Sequence, residues 1–148
     1  MNRSVLLRTA CAAFLAAGLA GCAQMRGSGQ QLFEAGLTGA QEVPPVATTA
    51  SGSADVRYNT GTNMLSWSVA HSGLSGPITG AHIHGPAGPG QNAGVVIPFT
   101  NLNAATITGE ARITPEQLAQ LASGQWYVNL HTQRHPGGEI RGQLRPRP

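Results

Sequence analysis

Three of the five histidines in this 148-residue chain fall in two short stretches whose spacing suits metal coordination. The first stretch is Gly80-Ala81-His82-Ile83-His84-Gly85-Pro86-Ala87. Along an extended strand, side chains alternate faces at about 3.3 Å per residue. His82 and His84 would therefore leave one face with Cα atoms about 6.6 Å apart, while Ala81 and Ile83 turn toward a core. Imidazoles at that spacing can converge on one ion through bonds of about 2.0–2.1 Å. A pair alone describes a solvated or hydrogen-bonded polar strand face equally well. The second stretch, Trp126-Tyr127-Val128-Asn129-Leu130-His131, supplies His131 as the third candidate ligand. The three ring nitrogens must come within roughly 3–4 Å of one another to share an ion.

Neutral imidazoles suit Cu(II), which heads the divalent affinity order, and they also take Zn(II). Copper is the expected metal, and zinc remains open. His135, in the Gln133-Arg134-His135-Pro136 turn, reads as exposed or as a spare fourth ligand, and His71 as an exposed strand end. Metal-bound histidines need their second ring nitrogen held, and Glu139, Asn129 or Gln143 is the expected holder. Arg141 is expected to attract an anion to the site or to pair with Glu139.

The elements that must position these residues are strands. Gly (20) and Pro (10) are frequent and charged residues make up only 10%, which suits an all-β chain with many turns. Phe33 to Leu37, Gly52 to Tyr58, and a third strand with Leu65, Trp67 and Val69 on one face come first. Ile78 to His84, a buried Gly94 to Phe99, Thr106 to Ile113, Gln125 to His131 and Glu139 to Leu144 follow. In the last of these Ile140 and Leu144 point inward, with Glu139, Arg141 and Gln143 outward. One helix is expected after Thr114, where Pro115 and Gln117 complete a capping box and Gly124 ends the run. Seven or eight short strands with one connecting helix indicate an antiparallel Greek-key β-sandwich or barrel.

The N-terminus reads as an export signal. Arg3 and Arg8 precede an apolar run from Cys11 to Gly21, too short for a permanent membrane span. Leu19-Ala20-Gly21-Cys22 looks like a bacterial lipobox, which implies cleavage before Cys22 and a lipid on its thiol. The expected organisation is a signal peptide over residues 1–21, lipidated Cys22 with a tether to residue 30, and one domain over 31–148. The membrane is thus an expected partner through Cys22, on the periplasmic face of the outer membrane, as Ala23 suggests. The exported chain would hold a single cysteine and hence no internal disulfide.

Composition excludes several activities. Residues 22–148 carry seven arginines against six acids, a net of +1, and the chain has no lysine, so no basic patch supports nucleic-acid binding. No Gly-x-Ser-x-Gly elbow, paired acid–base carboxylates or phosphate-cradling Gly-rich loop with lysine is present.

Leu37-Thr38-Gly39-Ala40-Gln41-Glu42-Val43-Pro44-Pro45, the Gly80–Ala87 stretch, and Tyr127 to Thr132 running on through Pro136 to Leu144 together resemble the CHRD domain. That module is named after chordin and is widespread in secreted bacterial proteins. The resemblance covers roughly residues 32 to 144 and implies an extracytoplasmic β-sandwich. A weaker one is to copper/zinc superoxide dismutases, where His82, His84 and His131 would match three copper ligands. No bridging histidine, aspartate-containing zinc site or disulfide accompanies them, and the resemblance to zinc-less, copper-only members of that superfamily implies a mononuclear site. Two readings therefore stand: a membrane-anchored domain with a histidine copper site, or a metal-free protein-interaction or adhesion module whose partner is unknown. Superoxide dismutase-like turnover is the less favoured outcome, because fold analogy alone does not license a reaction.

Overall fold

The structure, a computed structural model, describes residues 29–148. The expected signal peptide, the Cys22 lipidation and nearly all of the tether lie outside the described residues. Among the described residues, no helix is long and apolar enough to cross a membrane.

Three long strands open the domain: β1 (Gln30–Thr38), β2 (Ser51–Asn59) and β3 (Met64–Ser72). Period-two alternation sends Phe33, Leu37, Val56, Leu65 and Val69 to the buried face. The β2–β3 turn is set by Asn59, whose Oδ1 accepts from the backbone N–H groups of Gly61 and Thr62. Asn63 closes it in the left-handed region at φ 57°. Then come β4 (Ile78–His84), β5 (Val95–Pro98), β6 (Thr106–Arg112), the helix α1 (Pro115–Ala122), β7 (Tyr127–Thr132), β8 (Ile140–Gln143) and β9 (Arg145–Pro146).

The strands form one antiparallel sheet in the order β5-β4-β7-β8-β1-β2-β3-β6, with β9 added against β1. The sheet curls around a single apolar core, the nearly closed barrel or sandwich that strand spacing implied. Trp67 on β3 stacks on Phe99, just beyond β5, with ring centroids 4.8 Å apart, so the two ends of the sheet meet. Helix α1 begins with the expected capping box: Gln117 N–H donates to Thr114 Oγ1 and Thr114 N–H to Gln117 Oε1. It buries Leu121 in the core, and Gly124 follows at φ +71°.

Two expectations need correcting. The β5 segment is not a buried strand: it lies at the sheet edge, with Val95 52% exposed and Ile97 buried. Its β-branched composition matched a core strand, but it pairs only with β4. The second correction concerns β8, where Glu139, Arg141 and Gln143 point away from the apolar core yet are 0%, 1% and 7% exposed. The 39–49 and 85–94 segments lie over them, so alternation marked the face and not its exposure. Near the end of the chain, the two-residue β9 adds to the sheet beside β1.

This second, polar layer is what positions the histidines. Between β4 and β8 the outer face carries His82, His84, Tyr127, Asn129, His131, Arg141 and Gln143. Gln143 Nε2 donates to the Ala87 and Gly124 carbonyls, both at 2.8 Å. Asn92 Nδ2 donates to the Val43 carbonyl at 3.0 Å, tying the two covering segments together.

Candidate metal centre

His82 and His84 leave the same face of β4, and β7 pairs alongside with Gly80 opposite His131 and His82 opposite Asn129. That register brings the three sequence-predicted ligands together. One nitrogen from each of His82, His84 and His131 lies within 4.8 Å of the others, wider than the roughly 3–4 Å expected for a shared ion, so the rings must draw together to hold one. His82 Nδ1 is 3.2 Å from His131 Nε2. His71 and His135 stay away from the cluster. His71 Nε2 faces the Ala104 carbonyl at 3.3 Å, and the backbone of His135 bonds to Thr132 in the β7–β8 turn.

The remote nitrogens establish which atoms are free to bind. A backbone carbonyl only accepts, so a ring nitrogen facing one carries the proton. His84 Nδ1–H donates to the Ala93 carbonyl and His131 Nδ1–H to the Pro136 carbonyl, both at 3.0 Å. Their Nε2 atoms therefore carry the free lone pairs. Among the described residues, the buried His84 Nε2 has no hydrogen-bond partner. An orphaned buried acceptor costs about 1–3 kcal/mol unless something fills it. His82 Nδ1 donates to His131 Nε2 in the metal-free tautomer, and a cation among the three rings would take the place of that shared proton. The donor set thus fits a metal: three imidazoles, two of them oriented by backbone carbonyls.

The electrostatics agree. Burial holds His82, His84 and His131 below the ordinary imidazole value. Mutual repulsion adds to this for His82, while carbonyl hydrogen bonds oppose it for His84 and His131. All three therefore stay neutral, the form in which imidazole ligates.

The expected holders of the second ring nitrogens, Glu139, Asn129 and Gln143, do not perform that task. Glu139 accepts from Thr48, Ser75 and Thr132, Asn129 donates to Glu42 Oε2, and Gln143 reaches the two backbone carbonyls. Arg141 does not pair with Glu139 either. Its guanidinium donates to Asn92 Oδ1 and the Gln91 carbonyl, and its Cζ sits 3.5 Å above the Tyr127 ring centroid. Tyr127 in turn stacks parallel on His84, centroids 4.9 Å apart. Because β7 lies between β4 and β8, His84 and Arg141 approach Tyr127 from opposite sides. Ala93 locks the same group: its carbonyl receives His84 Nδ1–H and its N–H donates to Tyr127 Oη. Tyr127, Ala93 and Pro136 are thus positioning residues that the sequence did not single out, and Arg141, which it did, braces Tyr127 instead of pairing with Glu139. The alternation of 127, 129 and 131 put Tyr127 on the right face, but no sequence signal marks a carbonyl as a histidine's partner.

Gly80 has a steric role. A Cβ there would come 3.1 Å from His82 Cε1 and 3.7 Å from His131 Cδ2. Gly80→Ala should therefore weaken metal binding about tenfold, by tilting the His82 ring, with little change in thermal unfolding. Paired titration and melting curves would check this, and unchanged affinity would remove the glycine from the site.

No solved structure matches the chain. The family model described as "CHRD domain" matches residues 33–144, which runs from β1 through β8 and includes all three histidines and their carbonyl partners. By that match, this chain belongs to the CHRD domain family.

Proposed function

We propose that this CHRD domain holds a single metal ion, copper by preference, on His82, His84 and His131. The observation that carries the reading is the buried, partnerless Nε2 of His84, aimed into a group whose other two members also offer nitrogens. The ligand atoms would be His82 Nδ1, His84 Nε2 and His131 Nε2. A bound copper ion would supply a one-electron centre, and zinc a Lewis acid. The chain's own contribution is to keep three imidazoles neutral, to fix two of them by backbone carbonyls, and to brace His84 against Tyr127. The metal-free module would need the histidines to satisfy one another, and His84 Nε2 counts against it.

The test is calorimetric titration of the purified protein with Cu(II) and with Zn(II), beside the His82→Ala/His84→Ala variant. One-to-one binding that disappears in the variant supports the site and ranks the metals. Binding that is weak, or unchanged by the substitutions, sinks it and leaves the interaction module.

The same proposal places the domain outside the cytoplasm, tethered to a membrane through a lipid on Cys22, with the outer membrane as the intended site. Its support is the Leu19-Ala20-Gly21-Cys22 sequence after a basic, apolar start. Membrane association through more than one acyl chain would be durable. Mass spectrometry of the membrane fraction should find an acylated N-terminal Cys22, and Cys22→Ser should release the protein from that fraction. An unmodified N-terminus would end this part of the reading.

A further inference from the structure

A second buried group lies on the same polar face, and it stands apart from the metal reading. Glu42 and Asn129 are 5% and 4% exposed. Asn129 Nδ2 donates to Glu42 Oε2 at 3.3 Å. The other oxygen on each side chain, Glu42 Oε1 and Asn129 Oδ1, is buried with no partner. Both border a single point beside Gly138. A Cβ built on Gly138 would be 2.6 Å from both amide atoms of Asn129 and 2.7 Å from Glu42 Oε1. That point is one carbon–carbon bond from the Gly138 α-carbon, so it is closed to water.

Turning the Asn129 amide over does not help. A carboxylate offers only acceptors and an amide offers two N–H groups on one nitrogen, so either orientation leaves an oxygen facing an oxygen. One hydrogen is missing, and a carboxylic acid has it. We infer that Glu42 carries a proton on Oε1 and donates it to Asn129 Oδ1, and that this cyclic acid–amide pair is a proton-dependent latch holding the 42–49 segment over the polar face. Glu42 begins that segment and Asn129 sits mid-strand on β7, so the pair joins a cover to the sheet.

Burial pushes the Glu42 carboxyl up to about 7, against the opposing pull of Arg141, the Asn129 amide and the Val43 backbone. Arg141 on β8 is the charged group that faces it. Tyr127 and His131 share Asn129's face of β7, and the covering segments 39–49 and 85–94 contain no other ionisable side chain. The latch is closed when protonated. An acid whose folded value is raised binds protons more tightly when folded, so its contribution is complete below the ordinary value and is lost as pH climbs through the folded one. The window runs from 4.5 to about 7.

The variant Glu42→Gln supplies a permanent N–H in place of the acid O–H and keeps one acceptor, so it mimics the closed latch at every pH. Two measurements test the idea. The ¹³C resonance of the Glu42 carboxyl in the full chain should titrate near neutrality. The ratio of wild-type to Glu42→Gln folding constants should fall by up to about tenfold per pH unit across the window. That ratio cancels the histidines, whose lowered values make stability rise with pH. A carboxyl that titrates in the ordinary range, or unfolding curves that stay parallel, would overturn the latch. If the Gln variant does not fold, the carbon titration of the wild type decides alone.

Discussion

His84→Ala should abolish stoichiometric metal binding, with affinity falling by at least about 100-fold, or roughly 2.7 kcal/mol. Of the three candidate ligands His84 is the one with no alternative use for its inward nitrogen. His82 Nδ1 and His131 Nε2 can satisfy each other at 3.2 Å, whereas His84 Nε2 has no partner at all. Removing it leaves two imidazoles, too few to hold an ion firmly. The metal-free variant should still fold. It loses the Nδ1–H bond to Ala93 and the face of the Tyr127 stack, together about 1–2 kcal/mol, while the apolar core on the opposite side of β4 is untouched. Calorimetric titration read beside a melting curve separates the two effects. A variant that binds as tightly as the parent would show that the ion, if any, sits elsewhere.

Glu139→Ala should be the most damaging single substitution in stability, costing about 3–5 kcal/mol. This carboxylate is fully buried and accepts from Thr48 Oγ1 at 2.9 Å, Ser75 N–H at 2.9 Å, Ser75 Oγ at 2.7 Å and Thr132 Oγ1 at 2.7 Å. It thereby stitches the segment before β2, the loop before β4 and the end of β7 to the start of β8. Truncation strands those donors away from water, each at about 1–3 kcal/mol if nothing rearranges. Burial alone would raise the Glu139 value, but hydrogen bonds from Ser75, Thr132 and Thr48 outweigh it and hold the carboxyl below its ordinary range. The sign follows. With the folded value depressed, the unfolded chain binds the proton more readily, so this stabilisation is present above the ordinary carboxylate range and is lost as pH falls through the folded value. Thermal unfolding of wild type and variant should differ most near neutrality and converge in acid. A small, pH-independent difference would contradict the assignment.

Glu42 and Glu139 make an instructive pair. Both are buried near the same polar layer, yet one is raised and the other lowered. The difference is the supply of donors: one side-chain N–H and the Val43 backbone act on Glu42, whereas three side chains and a backbone N–H converge on Glu139. Burial disfavours charge in both, and hydrogen bonds reverse it only where enough of them gather.

Local pattern carried a good deal of this protein. Alternation at 65, 67 and 69 specified which side of β3 is apolar, Thr114, Pro115 and Gln117 began α1, and Ile78 to His84 coincides with β4 to the residue. Period two also put His82 beside His84 and grouped Tyr127, Asn129 and His131, because alternation is a property of an extended backbone and needs no tertiary information. Register is another matter. That Gly80 lies opposite His131 depends on how β7 slides against β4, and a one-residue slip would send His131 to the opposite face from His82 and His84. The covering of the polar face was equally illegible, because segments 39–49 and 85–94 read as ordinary Gly- and Pro-rich loops until Glu42 and Thr48 of the first are seen meeting Asn129 and Glu139, and the carbonyls of the second meeting Arg141, Gln143 and His84. Side-chain type and parity are local and can be read along the chain. Partners such as the Ala93 and Pro136 carbonyls are common to every residue, so nothing but the folded arrangement distinguishes the two that hold a histidine.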